Sequence, residues 1–399
     1  MNKQAYIGQA EAHLFHVYNR FPVVFDHGEG VYLYDTDGKQ YLDFASGIGV
    51  MALGYSDPEY TAAVQEQVGR LLHTSNLYYT PQVAAAGEAV CRVSGMDKVF
   101  FTNSGAEAIE GAIKTAKKYA SRRDGHAGHE VIAMQQSFHG RTVGALSVTG
   151  TDHYREPFYP LMGGVKFANF NDLDSVKALM NENVCAILVE TVQGEGGIYP
   201  AEPAFLEGLR ARCDQYDALL ILDEIQCGMG RSGSMYAFQQ YDVKPDILTT
   251  AKALGLGVPV GAFAVTQKVA DASLVPGDHG TTYGGNPLVC AAVAKSVELM
   301  EQRNIPQHVQ EMTPYLVETL QYFVDKYDFV TTQRGMGFMR GLVLTIPVGP
   351  VVAKALEEGL VVLSAGKDVL RLLPPLVMEK DGIDEMKEKL TKVLDSFVS

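Results

Sequence analysis

Short apolar runs punctuate the middle of the chain: "KVFFT" (98–102), "EVIAM" (130–134), "AILVE" (186–190), "LLILDE" (219–224) and "DILTT" (246–250). Most lack polar–apolar alternation. A strand with one wet face alternates, whereas one covered on both faces reads as a continuous apolar run. Between such runs lie stretches of a different period. In "EAIEGAIKTAKKYA", Ile109, Ile113, Ala116 and Ala120 recur at 4-3-4 spacing, which predicts one buried helical face. Buried strands alternating with helices predict an α/β layer around a mainly parallel sheet.

The two ends of the chain carry other patterns. "VYLYDTDGKQYLDF" (Val31–Phe44) alternates and is broken at Asp37-Gly38, a hairpin signal. Near the far end, "DVLRLLPPLVM" is strand-like and closed by two prolines. "IDEMKEKLTKVLDSFV" then places Met386, Leu390, Val393, Leu394 and Phe397 on one helical face. With no linker or repeat in view, this predicts a central α/β domain and a smaller domain assembled from both chain ends.

The 399 residues are 47% hydrophobic and 20% charged, ample for a core and sized for two domains. A net charge of −14 disfavours nucleic acid and anionic membranes as partners. The five cysteines (Cys91, Cys185, Cys213, Cys227, Cys290) are odd in number and scattered, which predicts reduced thiols and a cytoplasmic setting without a zinc site. The first 21 residues lack the apolar core of a signal peptide, and no window is long enough for a membrane span. The 40 glycines predict tight turns and close backbone approaches to a ligand.

Candidate chemistry clusters at the ends of the apolar runs. Asp223 closes "LLILD", where α/β sheets gather ligands, and a buried carboxylate there needs a cation or several donors. The following "GMGRSG" (Gly228–Gly233) fits G-x-G-x-x-G and raises an NAD-dependent oxidoreductase as a remote alternative. A dinucleotide fingerprint needs those glycines directly between strand and helix, and "DEIQC" intervenes. "NSGAEA" pairs Ser104 with Glu107 as a capping box and offers Gly105 and Ala106 at a positive helix end suited to phosphate. In "SFHGRT", Phe138 is able to cover a flat ring and Arg141 to grip a carboxylate, while His139 reads as structural or stacking. "ETVQGEGG" brings Glu190, Gln193 and Glu195 together, as an acid/base pair or as partners of arginines. "TTYGGNP" offers Thr281 and Thr282 for oxyanion contact, and Lys252 stands between "DILTTA" and a loop with three glycines. A phosphate cradle, an aromatic cover, a strand-end Asp and a loop Lys are together the parts of a pyridoxal-phosphate site.

In these motifs and their order the chain resembles the class III aminotransferases, of fold type I, over nearly its whole length. The resemblance implies a seven-stranded, mainly parallel sheet in a large cofactor domain (51–283), with a small α+β domain from residues 1–50 and 284–399. It implies Lys252 as the lysine that joins the cofactor's aldehyde, Asp223 at the pyridine nitrogen, Gln226 at the phenolic oxygen, and Ile225 and Phe138 against the ring. Glu224 falls in the same cofactor stretch. Ser104, Gly105 and Ala106 would hold the phosphate, reached by Thr282 from the neighbouring subunit of a homodimer, with Thr281 near the substrate. Ile109, Thr191, Met51 and Tyr55 depart from the usual pattern.

The activity implied is transfer of the terminal amine of N2-acetylornithine to 2-oxoglutarate, in arginine biosynthesis. Ornithine, succinyl-diaminopimelate, 4-aminobutyrate and putrescine stand as alternative donors. Arg141 would hold the donor's carboxylate away from the ring. Arg371 would hold glutamate's α-carboxylate, and Glu195 would neutralise Arg371 when none is bound.

Overall fold

The computed structural model describes residues 2–398. Its centre is a seven-stranded sheet built from β1 (Lys98–Thr102), β2 (Glu130–Met134), β3 (Val165–Ala168), β4 (Val184–Glu190), β5 (Leu219–Asp223), β6 (Ile247–Thr250) and β7 (Gly261–Val265). The strand order is β1-β7-β6-β5-β4-β2-β3. The sheet is parallel except for β7, which runs against both of its neighbours. Every residue of β4 and β5 is buried, the state that their unbroken apolar runs predict.

Helix α1 (Gly105–Asp124) follows β1 and lies on the sheet. Its buried face includes Ile109, Ile113, Ala116 and Ala120, the predicted stripe. Gly111 sits mid-helix, where glycine costs about 1 kcal/mol relative to alanine. A Cβ there would lie 2.2 Å from the Phe263 ring of β7, so close helix–sheet contact explains the glycine. Ser104 caps the helix by accepting from the Glu107 N–H. The reciprocal bond is displaced by one residue: the Glu107 carboxylate takes the N–H of Asn103 at 2.8 Å.

The hairpin predicted over Val31–Phe44 forms from Tyr32–Asp35 and Gln40–Asp43. Asp35 closes its turn by accepting from the N–H groups of Asp37 and Lys39. Leu360–Val361, from the far end of the chain, pairs in parallel with Leu42–Asp43, so the two ends share a sheet. A second sheet orders Val330–Met336, Met339–Leu344, Val369–Leu372 and Leu363–Ala365, all antiparallel. The tail helix α2 (Lys380–Asp395) buries Met386, Leu390, Val393 and Leu394, while Phe397 lies beyond its end and still packs on the core. Among the described residues, no helix is long and apolar enough to cross a membrane.

Candidate active site

Because six strands point the same way, β1, β2, β4, β5 and β6 end at one edge of the sheet. The loops that follow them meet around a cavity of about 460 Å³, within the usual range for a small-molecule site. Its wall includes Ser104, Gly105 and Ala106 after β1, and Phe138 and Arg141 after β2. Glu190 and Glu195 come from the end of β4, Asp223, Ile225 and Gln226 from the end of β5, and Lys252 from the end of β6.

Lys252 occupies the left-handed region at φ +49°, a conformation that costs a non-glycine residue energy. Among the described residues, none bonds its amine. Burial pushes the amine down to about 8, opposed by Glu195, reinforced by Arg371, and opposed again by Asp223 and Glu190. A lysine so placed holds a substantial neutral, nucleophilic fraction near neutral pH.

Asp223 and Glu190 end adjacent parallel strands as direct neighbours in register. Their environments differ. Asp223 Oδ2 lies 2.7 Å from His139 Nδ1, and Oδ1 accepts from the Ile225 N–H at 3.0 Å and from Thr249 at 3.3 Å. Among the described residues Glu190 meets only the N–H groups of Phe138 and Gly194, and burial raises its carboxyl to about 7. Of the two, Asp223 has the fuller set of donors and is the one equipped to face a ring cation.

The opposite requirement, a seat for a dianion, is met by the start of α1. The first N–H groups of a helix have no partner within it and carry the positive end of its dipole. Gly105 and Ala106 line the cavity. A Cβ at residue 105 would lie 2.9 Å from Ile225 Cδ1, so glycine lets Ile225 pack directly against the start of the helix. An anion at one end, free amides at the other and Phe138 and Ile225 between them fit a flat cationic ring bearing a phosphate.

Arg371 lies just behind the cavity wall on Val369–Leu372. It is buried, with Nη1 2.5 Å from Glu195 and 3.3 Å from Gln226 Oε1, and among the described residues its Nε has no partner. Arg141 differs. It lies over Tyr154, and among the described residues no carboxylate pairs with it.

The structure places three of these features apart from the cavity. Glu224 does not reach the cavity. Successive residues leave a strand end on opposite sides, and the Glu224 carboxylate is taken by Thr191 (2.7 Å), the Ala237 N–H (2.7 Å) and the Phe238 N–H (2.8 Å). It is a buried structural acceptor, and Thr191, one of the departures from pattern, supplies its hydroxyl donor. Thr281 and Thr282 lie outside this cavity, in a shallow depression with His73, Asn76 and Phe100. The "GMGRSG" segment opens no helix, and Arg231 is buried against the carbonyls of Pro374 and Phe338. It is a packing junction and not a dinucleotide turn.

His139 is the residue whose importance sequence reasoning missed. Its position next to Phe138 was visible, but its partner is 84 residues away. Away from the cavity, Asp124, His126 and His129 cluster, but a two-bond pair with Arg123 and a bond to His129 already occupy the Asp124 carboxylate.

The family model "Aminotransferase class-III" matches residues 15–394. The chain is 46% identical to the acetylornithine aminotransferase of Clostridium acetobutylicum, over 94% of this chain and 97% of that one. It is 45% identical to that of Methanocaldococcus jannaschii, over 98% of each. Among solved structures, the ornithine aminotransferase of Toxoplasma gondii superposes with a TM-score of 0.95 at 29% identity, covering 100% of this chain and 96% of that one. The chain belongs to the class III aminotransferases. It is a transaminase dependent on pyridoxal phosphate, the cofactor its cavity fits.

Proposed function

We propose that the protein transfers the terminal amino group of N2-acetylornithine to 2-oxoglutarate, giving N-acetylglutamate 5-semialdehyde and glutamate, in arginine biosynthesis. One observation carries the choice of donor. Arg371 is neutralised by Glu195 at 2.5 Å, while Arg141 is unpaired among the described residues. Glu195 and Arg371 are also the charges that act most strongly on the Lys252 amine. A substrate carboxylate therefore finds its open partner at Arg141, and the other end of the substrate lies at Lys252. That orientation presents a terminal amine and leaves the α-amine out of reach. The names of the relatives at 45–46% identity support the same donor.

Bound pyridoxal phosphate supplies an electron sink for the carbon that carries the amine. The chain's own residues do the rest. Lys252 would hold the cofactor through its amine and, when that amine is free, would carry the proton. Asp223, held by His139, would face the pyridine nitrogen and keep its proton in place. Gln226 would meet the phenolic oxygen, and Phe138 and Ile225 would cover the ring. Ser104, Gly105 and Ala106 would hold the phosphate. In the return half-reaction glutamate offers an α-carboxylate, for which Arg371 exchanges Glu195.

A homodimer completes this reading. Thr281 and Thr282 lie outside their own chain's cavity, beside a surface where Leu77, Tyr79 and Tyr283 are 85%, 102% and 62% exposed. Apolar exposure on that scale marks an interface, and a second copy there would bring Thr282 to its partner's phosphate seat. The large domain would span 51–283 and the small one 1–50 with 284–399. Five free cysteines suit a reducing cytoplasm. The test is kcat/KM for N-acetylornithine with 2-oxoglutarate, compared with ornithine, succinyl-diaminopimelate, 4-aminobutyrate and putrescine. N-acetylornithine should lead, and a clear preference for another donor would reassign the substrate within the family.

A further inference from the structure

Arg141 has its guanidinium carbon 3.8 Å from the centre of the Tyr154 ring and 5.4 Å from that of Phe138. Tyr154 in turn meets Phe138 edge-on, with ring centres 6.2 Å apart and planes at 82°. One tyrosine thus touches both the ring expected to cover the cofactor and the cation expected to hold the substrate. Stacking engages the flat face of a guanidinium and leaves its N–H groups, which lie in the plane, free for a carboxylate. An acidic partner would instead have consumed those donors.

Tyr154 is itself held. It lies in the single turn Asp152–Arg155. The next residue, Arg155, is buried, bonds Asp152 and lies 4.1 Å from the ring of Phe167 on β3. Upstream, the Gly150 N–H donates to the carbonyl and the hydroxyl of Ser137, one residue before Phe138. The turn that carries Tyr154 is therefore fixed both to the sheet and to the loop that carries Phe138 and Arg141. An unpaired arginine on a loop would otherwise spend long-side-chain entropy on each binding event.

We propose that Tyr154 is a positioning residue that pre-orients Arg141 and so sets the preference for donors bearing a carboxylate remote from the transferred amine. This rests on the reading of Arg141 given above. The test uses the purified holoenzyme and the variants Tyr154→Leu, Tyr154→Met and Tyr154→Phe. The leucine and methionine variants should raise KM for N-acetylornithine about three- to tenfold, the range of an arginine–aromatic contact, and leave kcat within about twofold. Phenylalanine keeps the ring and should restore the wild-type KM. Single-turnover rates with putrescine, which has no carboxylate, should be unchanged in all three, as should the visible band of the bound cofactor. An unchanged KM in both aliphatic variants, or equal losses with both donors, would overturn the role. Having two aliphatic variants guards against one failing to fold. Wild-type donor preference is a separate result. If the wild type prefers 4-aminobutyrate, the donor reading fails and the same KM ratio is read with that donor, which also bears a remote carboxylate.

Discussion

His139 Nδ1 lies 2.7 Å from Asp223 Oδ2, and both side chains are buried. The carboxylate accepts, so Nδ1 donates, while among the described residues Nε2 finds no partner. That donor fixes the orientation of the carboxylate.

Removing that donor should loosen the cofactor. A hydrogen bond to a charged group contributes about 1.5–3 kcal/mol, so His139→Leu should weaken pyridoxal-phosphate binding by roughly tenfold or more. His139→Asn retains an N–H donor and should recover part of the loss. Titrating the apoenzyme with the cofactor, followed by its visible band, reads this without turnover. Equal affinities in wild type and His139→Leu would remove His139 from the site.

The Glu195–Arg371 pair predicts a change of specificity. Glu195→Gln leaves Arg371 without a counter-charge and ready for an α-carboxylate. The ratio of kcat/KM for glutamate to that for N-acetylornithine should rise, by at least about tenfold if the released charge contributes about 1.4 kcal/mol. An unchanged ratio would show that the pair does not govern orientation.

Lys252 sets a pH dependence for cofactor attachment. Its amine is pushed down to about 8, and only the unprotonated amine attacks an aldehyde. The rate at which apoenzyme takes up pyridoxal phosphate should rise as pH increases through about 8 and level off above it. At pH 6 about one amine in a hundred is neutral, so the rate should be roughly a hundredfold below the plateau. A rate still climbing in proportion to hydroxide up to pH 10 would mean an unshifted lysine. Lys252→Ala should abolish turnover and leave the fold intact.

Glu224 makes the converse case, a buried carboxylate next to Asp223 that turns away from the cavity. Replacing it with leucine strands the N–H groups of Ala237 and Phe238 and the Thr191 hydroxyl. At about 1–3 kcal/mol for each buried unsatisfied group, Glu224→Leu should unfold several kcal/mol more easily in urea. Glu224→Gln keeps one acceptor oxygen and should lose less, with the cofactor's visible band unchanged once folded. A shifted band in a stably folded Glu224→Gln would return the residue to the cofactor site.

The parts of this architecture that depend on local pattern were legible in the chain. Unbroken apolar runs marked β4 and β5, 4-3-4 spacing marked the buried face of α1, and Asp37-Gly38 marked the hairpin turn. The resemblance led to Lys252, Asp223, Ser104, Phe138 and Arg141 around one cavity. What stayed hidden was direction and distance. Nothing local tells that Asp223 turns toward the cavity and Glu224 away from it, because that depends on which face of the strand end meets Phe238. Nor does spacing reveal that His139 reaches Asp223, or that Tyr154 underlies Arg141 across a turn. Each of those contacts is closed by a loop whose length carries no signature of its partner.

In the proposed function, Lys252 and Arg141 together direct pyridoxal phosphate to a terminal amine. The most direct test is the visible absorption spectrum of the purified protein before and after adding N-acetylornithine. The protein should be yellow, with a band that bleaches on addition and returns with 2-oxoglutarate. A protein that stays colourless even when supplied with pyridoxal phosphate would contradict the cofactor site, and a yellow one indifferent to N-acetylornithine would contradict the assigned donor.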